Sequence, residues 1–233
     1  MQAPPPRMSG MGTLYLVRHG QASLTAEDYD QLSPLGQQQS LALGQYWAAR
    51  GLRVDAVITG TLRRHAQTWA GIAAGAQWPT DALPWPGLNE YDSAAVIQTV
   101  HPQPLTRPDT PERYRQHFRL LRDGLALWMA GTASPAGMPS YSDFVQGVTS
   151  ALHHVRRQHL GQRVLVVSSG GPIATAVGHV LGLSPEATIG LNMRLRNSAV
   201  TELTFSARRY ELLTFNTLPH LDAPERADWV TYA

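Results

Sequence analysis

The sequence predicts a single-domain α/β protein, a three-layer α/β/α sandwich whose central sheet is mostly parallel. Three observations predict it. A short β-rich run, a loop and a helix open the chain and are followed directly by a second strand and helix, the grammar of a parallel, doubly wound sheet. A third strand-to-helix unit appears late, from residue 163. At 233 residues, no linker-like stretch divides the middle of the chain.

The elements follow in order. Residues 1–12 hold one Arg and several Pro but no apolar centre of a signal peptide, so they are expected to form a flexible tail before a domain spanning 13–233. Residues 13–17 (TLYLV) suit a buried strand ending at Arg18-His19-Gly20. Ser33-Pro34 reads as an N-cap with Pro at the first helical position, opening a helix over 35–50. A strand over 54–59 and a helix over 62–74 repeat the unit. Residues 80–101 are rich in Pro, Trp and Gly and read as irregular, 111–130 as a helix with solvated Arg-rich faces, 131–139 as a loop, and 141–159 as a helix. The strongest strand is 163–167, ending in Ser168-Ser169-Gly170-Gly171-Pro172 before a helix over 173–181. Alternating residues at 199–205 and 208–215 predict a hairpin or two edge strands.

Composition narrows the chemistry. There is no Cys, which removes disulfides, thiolate metal sites and cysteine nucleophiles. All 19 basic residues are Arg, so lysine Schiff bases and the lysine-bearing P-loop are excluded. Any phosphate must be held by Arg, His, hydroxyls and amides. With a net charge of +2 and the arginines scattered, nucleic acid is not an expected partner. No apolar run approaches the roughly 20 residues that span a bilayer, so neither a membrane helix nor a membrane partner is expected, and a cytoplasmic location is. The histidines at 101, 117, 153, 154, 159 and 179 lack metal-ligand spacing, and no metal or cofactor is expected.

Ligands of parallel sheets bind at the C-terminal strand ends, and three of these carry polar chemistry. Arg18-His19-Gly20 offers a guanidinium fork, a neutral nitrogen nucleophile and a residue that permits close backbone approach. Arg63-Arg64 falls in the first turn of a helix, where amides and dipole favour an anion. Ser168-Ser169-Gly170-Gly171 offers hydroxyls and a nest of amides. Each has an ordinary alternative: a structural His, solvated helix arginines, a plain helix cap. Trp78, Trp85 and Trp128 fit either a pocket wall or the core.

Taken together, these residues resemble the histidine phosphatase (phosphoglycerate-mutase-like) superfamily. Its opening Arg-His-Gly is matched by Arg18, His19 and Gly20, and its Leu-Thr/Ser-x-x-Gly-x-x-Gln stretch by Leu32 to Gln39 with one residue fewer before the glycine. Its Ser-x-Leu-x-Arg-Ala-x-x-Thr is closely resembled by Gly60 to Thr68, and its Leu-x-Glu is matched by Leu88-Asn89-Glu90. The resemblance covers residues 13 to about 182 and implies a phosphoglycerate-mutase-like fold. It further implies that His19 accepts the phosphoryl group, Arg18 and Arg64 clamp it, and Glu90 is the general acid that later activates water.

Two departures qualify it. The late strand of most members ends in Ser-His-Gly-Gly, whose His contacts the phosphate, whereas this chain has Ser169. Losing a charged donor there, unless His220 or His65 replaces it, implies a rate loss of about 10²-fold. An Asn common seven residues after the Arg is Thr25 here, leaving Gln21 and Ser23 as polar substitutes, with Ser169 and Gly170 completing the phosphate-binding set. The leading expectation is a phosphatase acting on a small phosphomonoester. The alternatives are a phosphoglycerate-type mutase and a phosphate-binding or regulatory module weakened by Ser169. A homodimer is compatible with the sequence, which does not demand one.

Overall fold

A computed structural model describes residues 10–23, 30–106 and 108–232. Residues 1–9 of the expected tail, and Thr25, lie outside the described residues. Strand β1 (Gly12–Arg18) sits inside a six-stranded sheet, beside β4 (Arg163–Ser168) and β5 (Val200–Phe205). With β2 (Ala56–Thr59), β3 (Leu83–Pro84) and β6 (Tyr210–Thr217) the order is β3-β2-β4-β1-β5-β6. β1, β2, β3 and β4 run parallel, while β5 and β6 are antiparallel additions at one side. The run RVLVVS of β4 is buried from its second residue on, as a parallel strand covered on both faces must be.

Strand parity distributes the core. Leu14 and Leu16 join Val164, Val166, Ile173, Val177 and Val148 on the face covered by α5 (Tyr141–Gln158) and α6 (Gly170–Leu181). Tyr15 and Val17 point the other way, joining Leu43 and Trp47 of α1 (Pro34–Ala49) and Trp69 and Ile72 of α2 (Arg63–Ala76). α1 starts where Ser33 Oγ accepts the Gly36 amide at 3.0 Å, with Pro34 behind it. α1 and α2 approach so closely that a Cβ on Gly44 would lie 2.1 Å from the Ile72 carbonyl oxygen. A third cluster packs Val96 and Ile97 of α3 (Ser93–Gln98) on Leu121, Leu125 and Trp128 of α4 (Pro111–Met129) and Ile189 of α7 (Pro185–Asn192).

Several expectations need correction. Residues 80–101 are not irregular throughout: they contain β3, a 3-10 turn at Pro86–Leu88 and α3. Asp92 caps α3 by accepting the Ala94 and Ala95 amides, and packing against Trp128 stabilises a helix too short to persist alone. α6 begins at Gly170 rather than at residue 173, and α7 was not expected. The last strand starts at Tyr210, because the Ser206 hydroxyl accepts the Arg208 and Arg209 amides and folds those residues into the turn. Trp128 is core, and Trp78 stacks on Trp47.

Candidate active site

His19 follows the last residue of β1 and is 3 % exposed. Its amide donates to the Ser168 carbonyl at 2.9 Å and its carbonyl accepts from the Ser198 amide at 3.1 Å, which fixes the backbone between β4 and β5. The next residue must be glycine here, since a Cβ on Gly20 would stand 2.4 Å from the Gly36 carbonyl oxygen of α1. The His19 Nδ1 lies 2.7 Å from the Gly20 carbonyl oxygen, which only accepts. The ring proton therefore sits on Nδ1 and Nε2 presents a lone pair. Arg64 Nε–H donates to that lone pair at 3.3 Å. Burial first, then the Arg18 and Arg64 guanidiniums, holds His19 well below the ordinary histidine pKa, so the ring is neutral.

Arg64, in the first turn of α2, is 7 % exposed. Its Nη1 pairs with Asp30 Oδ1 at 2.9 Å, and the same carboxylate accepts the Arg63 and Arg64 amides at 2.8 and 3.3 Å. The two amides that the sequence offered to an anion are thus occupied by Asp30. Arg18 is oriented from outside the sheet, its Nη1 donating to the carbonyls of Leu195 and Tyr232.

Glu90 sits on a segment pinned at three successive residues. Ser168 Oγ donates to the Leu88 carbonyl, Asn89 exchanges two hydrogen bonds with Thr61, and the Gly171 amide donates to both Glu90 oxygens at 3.1 and 3.2 Å. This carboxylate is what starts α6 at Gly170, in place of a capping hydroxyl. The Gly171 amide of the expected nest is accordingly given to Glu90. Burial pushes Glu90 above the ordinary carboxylate pKa, although Gly171, Arg64 and Arg18 pull the other way. An acid whose pKa is raised, lining the same cavity as a neutral imidazole, offers the donor and acceptor functions that group transfer needs.

Arg18, His19, Arg64, Glu90 and Gly170 line one cavity of about 740 Å³. Its other walls include Tyr91, Asp92 and Ser93, His117, Phe118 and Arg122 of α4, Asn192 at the end of α7 with Met193 and Arg194 after it, and Tyr232. None of these wall residues was singled out in the sequence as a binding residue. Nor was Asp30, which caps α2 from 33 residues away and leaves no local signal.

The remaining sequence-predicted residues lie outside the cavity lining. Gln21 Oε1 accepts from Ser33 Oγ, and the Ser23 amide donates to the Gln31 carbonyl. Ser169 is fully buried with its Oγ 2.7 Å from His65 Nε2. His220 is buried elsewhere against Ser198 Oγ at 2.9 Å. Among the described residues, no helix is long and apolar enough to cross a membrane.

The family model described as the histidine phosphatase superfamily (branch 1) matches residues 14–218. The 2,3-bisphosphoglycerate-dependent phosphoglycerate mutase of Nitratidesulfovibrio vulgaris is 28% identical over an alignment of 214 residues, gaps included, that covers 78% of this chain and 83% of that protein. Phosphoserine phosphatase of Entamoeba histolytica, solved with 3-phosphoglyceric acid, superposes with a TM-score of 0.64 at 19% identity, covering 90% of this chain and 99% of that one. Phosphoglycerate mutase of Bacillus anthracis also gives 0.64, at 16% identity, covering 91% and 96%. At these identities the two solved structures speak to the fold.

Proposed function

Because the chain belongs to the histidine phosphatase superfamily, we propose that it hydrolyses a phosphomonoester through a phosphohistidine on His19. The observation that carries the reading is the locked tautomer of His19, whose unprotonated Nε2 faces Arg64 at the wall of the cavity that Glu90 also lines. In the first step Nε2 attacks phosphorus, the P–O bond to the leaving group breaks, and Glu90 gives that oxygen its proton. In the second, water attacks phosphorus, Glu90 takes the water's proton, and the P–N bond breaks to release phosphate and neutral His19. Arg18 and Arg64 offset the charge spread over the phosphoryl oxygens in both steps.

The cavity is larger than a phosphate needs, and Arg122 and Arg194 in its walls, set against the carboxylate of Asp92, leave an excess of positive charge that favours an organic part that is itself anionic. The test is incubation with an aryl phosphate, following release and trapping any acid-labile, base-stable phosphoenzyme, with His19→Ala as control. Turnover and label that both vanish in His19→Ala support the reading. A wild type that gives neither, while phosphate still raises its Tm, leaves a phosphate-binding module, the alternative that Ser169 favours. The mutase alternative is favoured by the phosphoglycerate mutase relative. It predicts interconversion of 2- and 3-phosphoglycerate, dependent on bisphosphoglycerate, outpacing release of phosphate.

A further inference from the structure

Three positions depart together from the motif pattern of the family: Gly60 stands in place of Ser, His65 in place of Ala, and Ser169 in place of the second His. In the fold these three meet. His65 is fully buried in the first turn of α2, with its ring centroid 5.8 Å from that of His19. Its Nε2 is 2.7 Å from Ser169 Oγ. The ring fits because residue 60 has no side chain: a Cβ there would stand 2.2 Å from His65 Nδ1. Ser169 is the N-cap of α6, yet its hydroxyl makes no bond to that helix's amides, and it directly precedes Gly170 in the cavity wall.

The direction of the His65–Ser169 hydrogen bond follows from the ring's other nitrogen. His65 Nδ1 is buried with no hydrogen-bond partner among the described residues, and a buried unpaired N–H is rarer in proteins than a buried unpaired acceptor. Burial, then the Arg64 guanidinium, pushes the His65 pKa down to about 3, so the ring holds one proton. That proton belongs on Nε2 and is donated to Ser169 Oγ. The serine hydroxyl is left with its own proton to give, and a hydroxyl that accepts one hydrogen bond is a stronger donor of the next.

Resting on the phosphohistidine reading, we infer that His65 and Ser169 work as one unit: Ser169, buried directly behind Gly170 of the cavity wall, is held by the imidazole so that its hydroxyl donates to the phosphoryl group seated against that wall as it moves to and from His19. His65 acts through Ser169 and is a positioning residue. The pair divides between two side chains the work that the family assigns to one histidine.

An exchange tests this. His65→Ala, Ser169→Ala, their double variant and the exchange His65→Ala/Ser169→His are compared with wild type in kcat and KM on an aryl phosphate, and in the rise of Tm given by vanadate. Each single change is expected to lower kcat by about 10- to 10²-fold with little change in KM. The double variant falls no further than the worse single, and the exchange variant regains kcat to within about fivefold of wild type. His65→Gln, which keeps a donor at that position, retains most of kcat and covers a His65→Ala that fails to fold. Losses that multiply in the double variant, or a folded exchange variant no better than His65→Ala, overturn the inference. If wild type shows neither turnover nor phosphoenzyme, the phosphatase reading fails separately. The vanadate shift then decides: the unit stands if the shift is lost in both singles and regained in the exchange, and falls if it survives in them or is absent from wild type.

Discussion

Replacing His220 by Gln is expected to flatten the acid side of the stability curve. His220 is 3 % exposed, bonded through Nε2 to Ser198 Oγ, and packed near Arg226. Burial, then the Arg226 charge, lowers its pKa from 6.5 to about 3. The folded protein therefore refuses a proton that the unfolded chain accepts. Stability from the neutral ring is full above 6.5 and is lost as pH falls below it, down to about 3. The slope is about 1.4 kcal/mol per pH unit, or about 2 kcal/mol between pH 7 and pH 5. His65 behaves in the same way and Glu90 oppositely, but both are present in wild type and variant and cancel in the difference. Urea unfolding at pH 7, 6, 5.5 and 5 supplies the two stability curves. The His220→Gln change costs stability at pH 7, and the gap to wild type narrows by about 2 kcal/mol on reaching pH 5. Parallel curves would refute the reasoning, because they would mean that His220 titrates alike in the folded and unfolded chains.

Three further outcomes follow from the site and the helix packing. Glu90→Gln is expected to slow alkyl phosphates about 10²- to 10⁴-fold and an aryl phosphate with a good leaving group far less, read as the ratio of kcat values. In wild type the raised pKa of Glu90 extends activity toward alkaline pH, and a kcat profile that loses its alkaline limb in the variant checks the assignment. Asp30→Asn removes the carboxylate that grips Arg64 and two α2 amides, and is expected to raise KM about 5- to 30-fold, from about 1–2 kcal/mol of lost orientation; unchanged KM would remove Asp30 from the phosphate clamp. Gly44→Ala forces α1 off α2 and is expected to cost about 3 kcal/mol in urea unfolding, with no loss if the helices simply slide apart.

What the sequence made legible was chemistry carried by local pattern. The β-rich run before Arg18-His19, the Ser33-Pro34 helix start and the late strand before Ser168 each lie where pattern placed them. Arg18, His19, Arg64 and Glu90 do line one cavity. What stayed hidden depends on partners distant in the chain. Asp30 caps a helix that begins 33 residues later, Glu90 caps one 80 residues on, and α3 persists by packing on Trp128. The missed α7 is a different case: Ser184, Pro185 and Glu186 form a complete start signal, masked by the helix's shortness. Whether His65 or His220 could stand in for the histidine missing at residue 169 was open in sequence, and the folded chain brings His65 against Ser169.

The sheet order also carries a consequence for how the protein comes to exist. His19 directly follows β1, which is hydrogen-bonded on one side to residues 163–168 and on the other to 200–205. Arg18 is held by the carbonyl of Tyr232. His19 must therefore wait for residues about 150 to 190 further along the chain before its strand has neighbours, and closing such distant pairings is slow. Until then an apolar strand is unpaired on both edges, the state most open to misassembly or capture by a chaperone. Nascent chains stalled before residue 200 should hold His19 without its cavity, which forms only once β5 has been made.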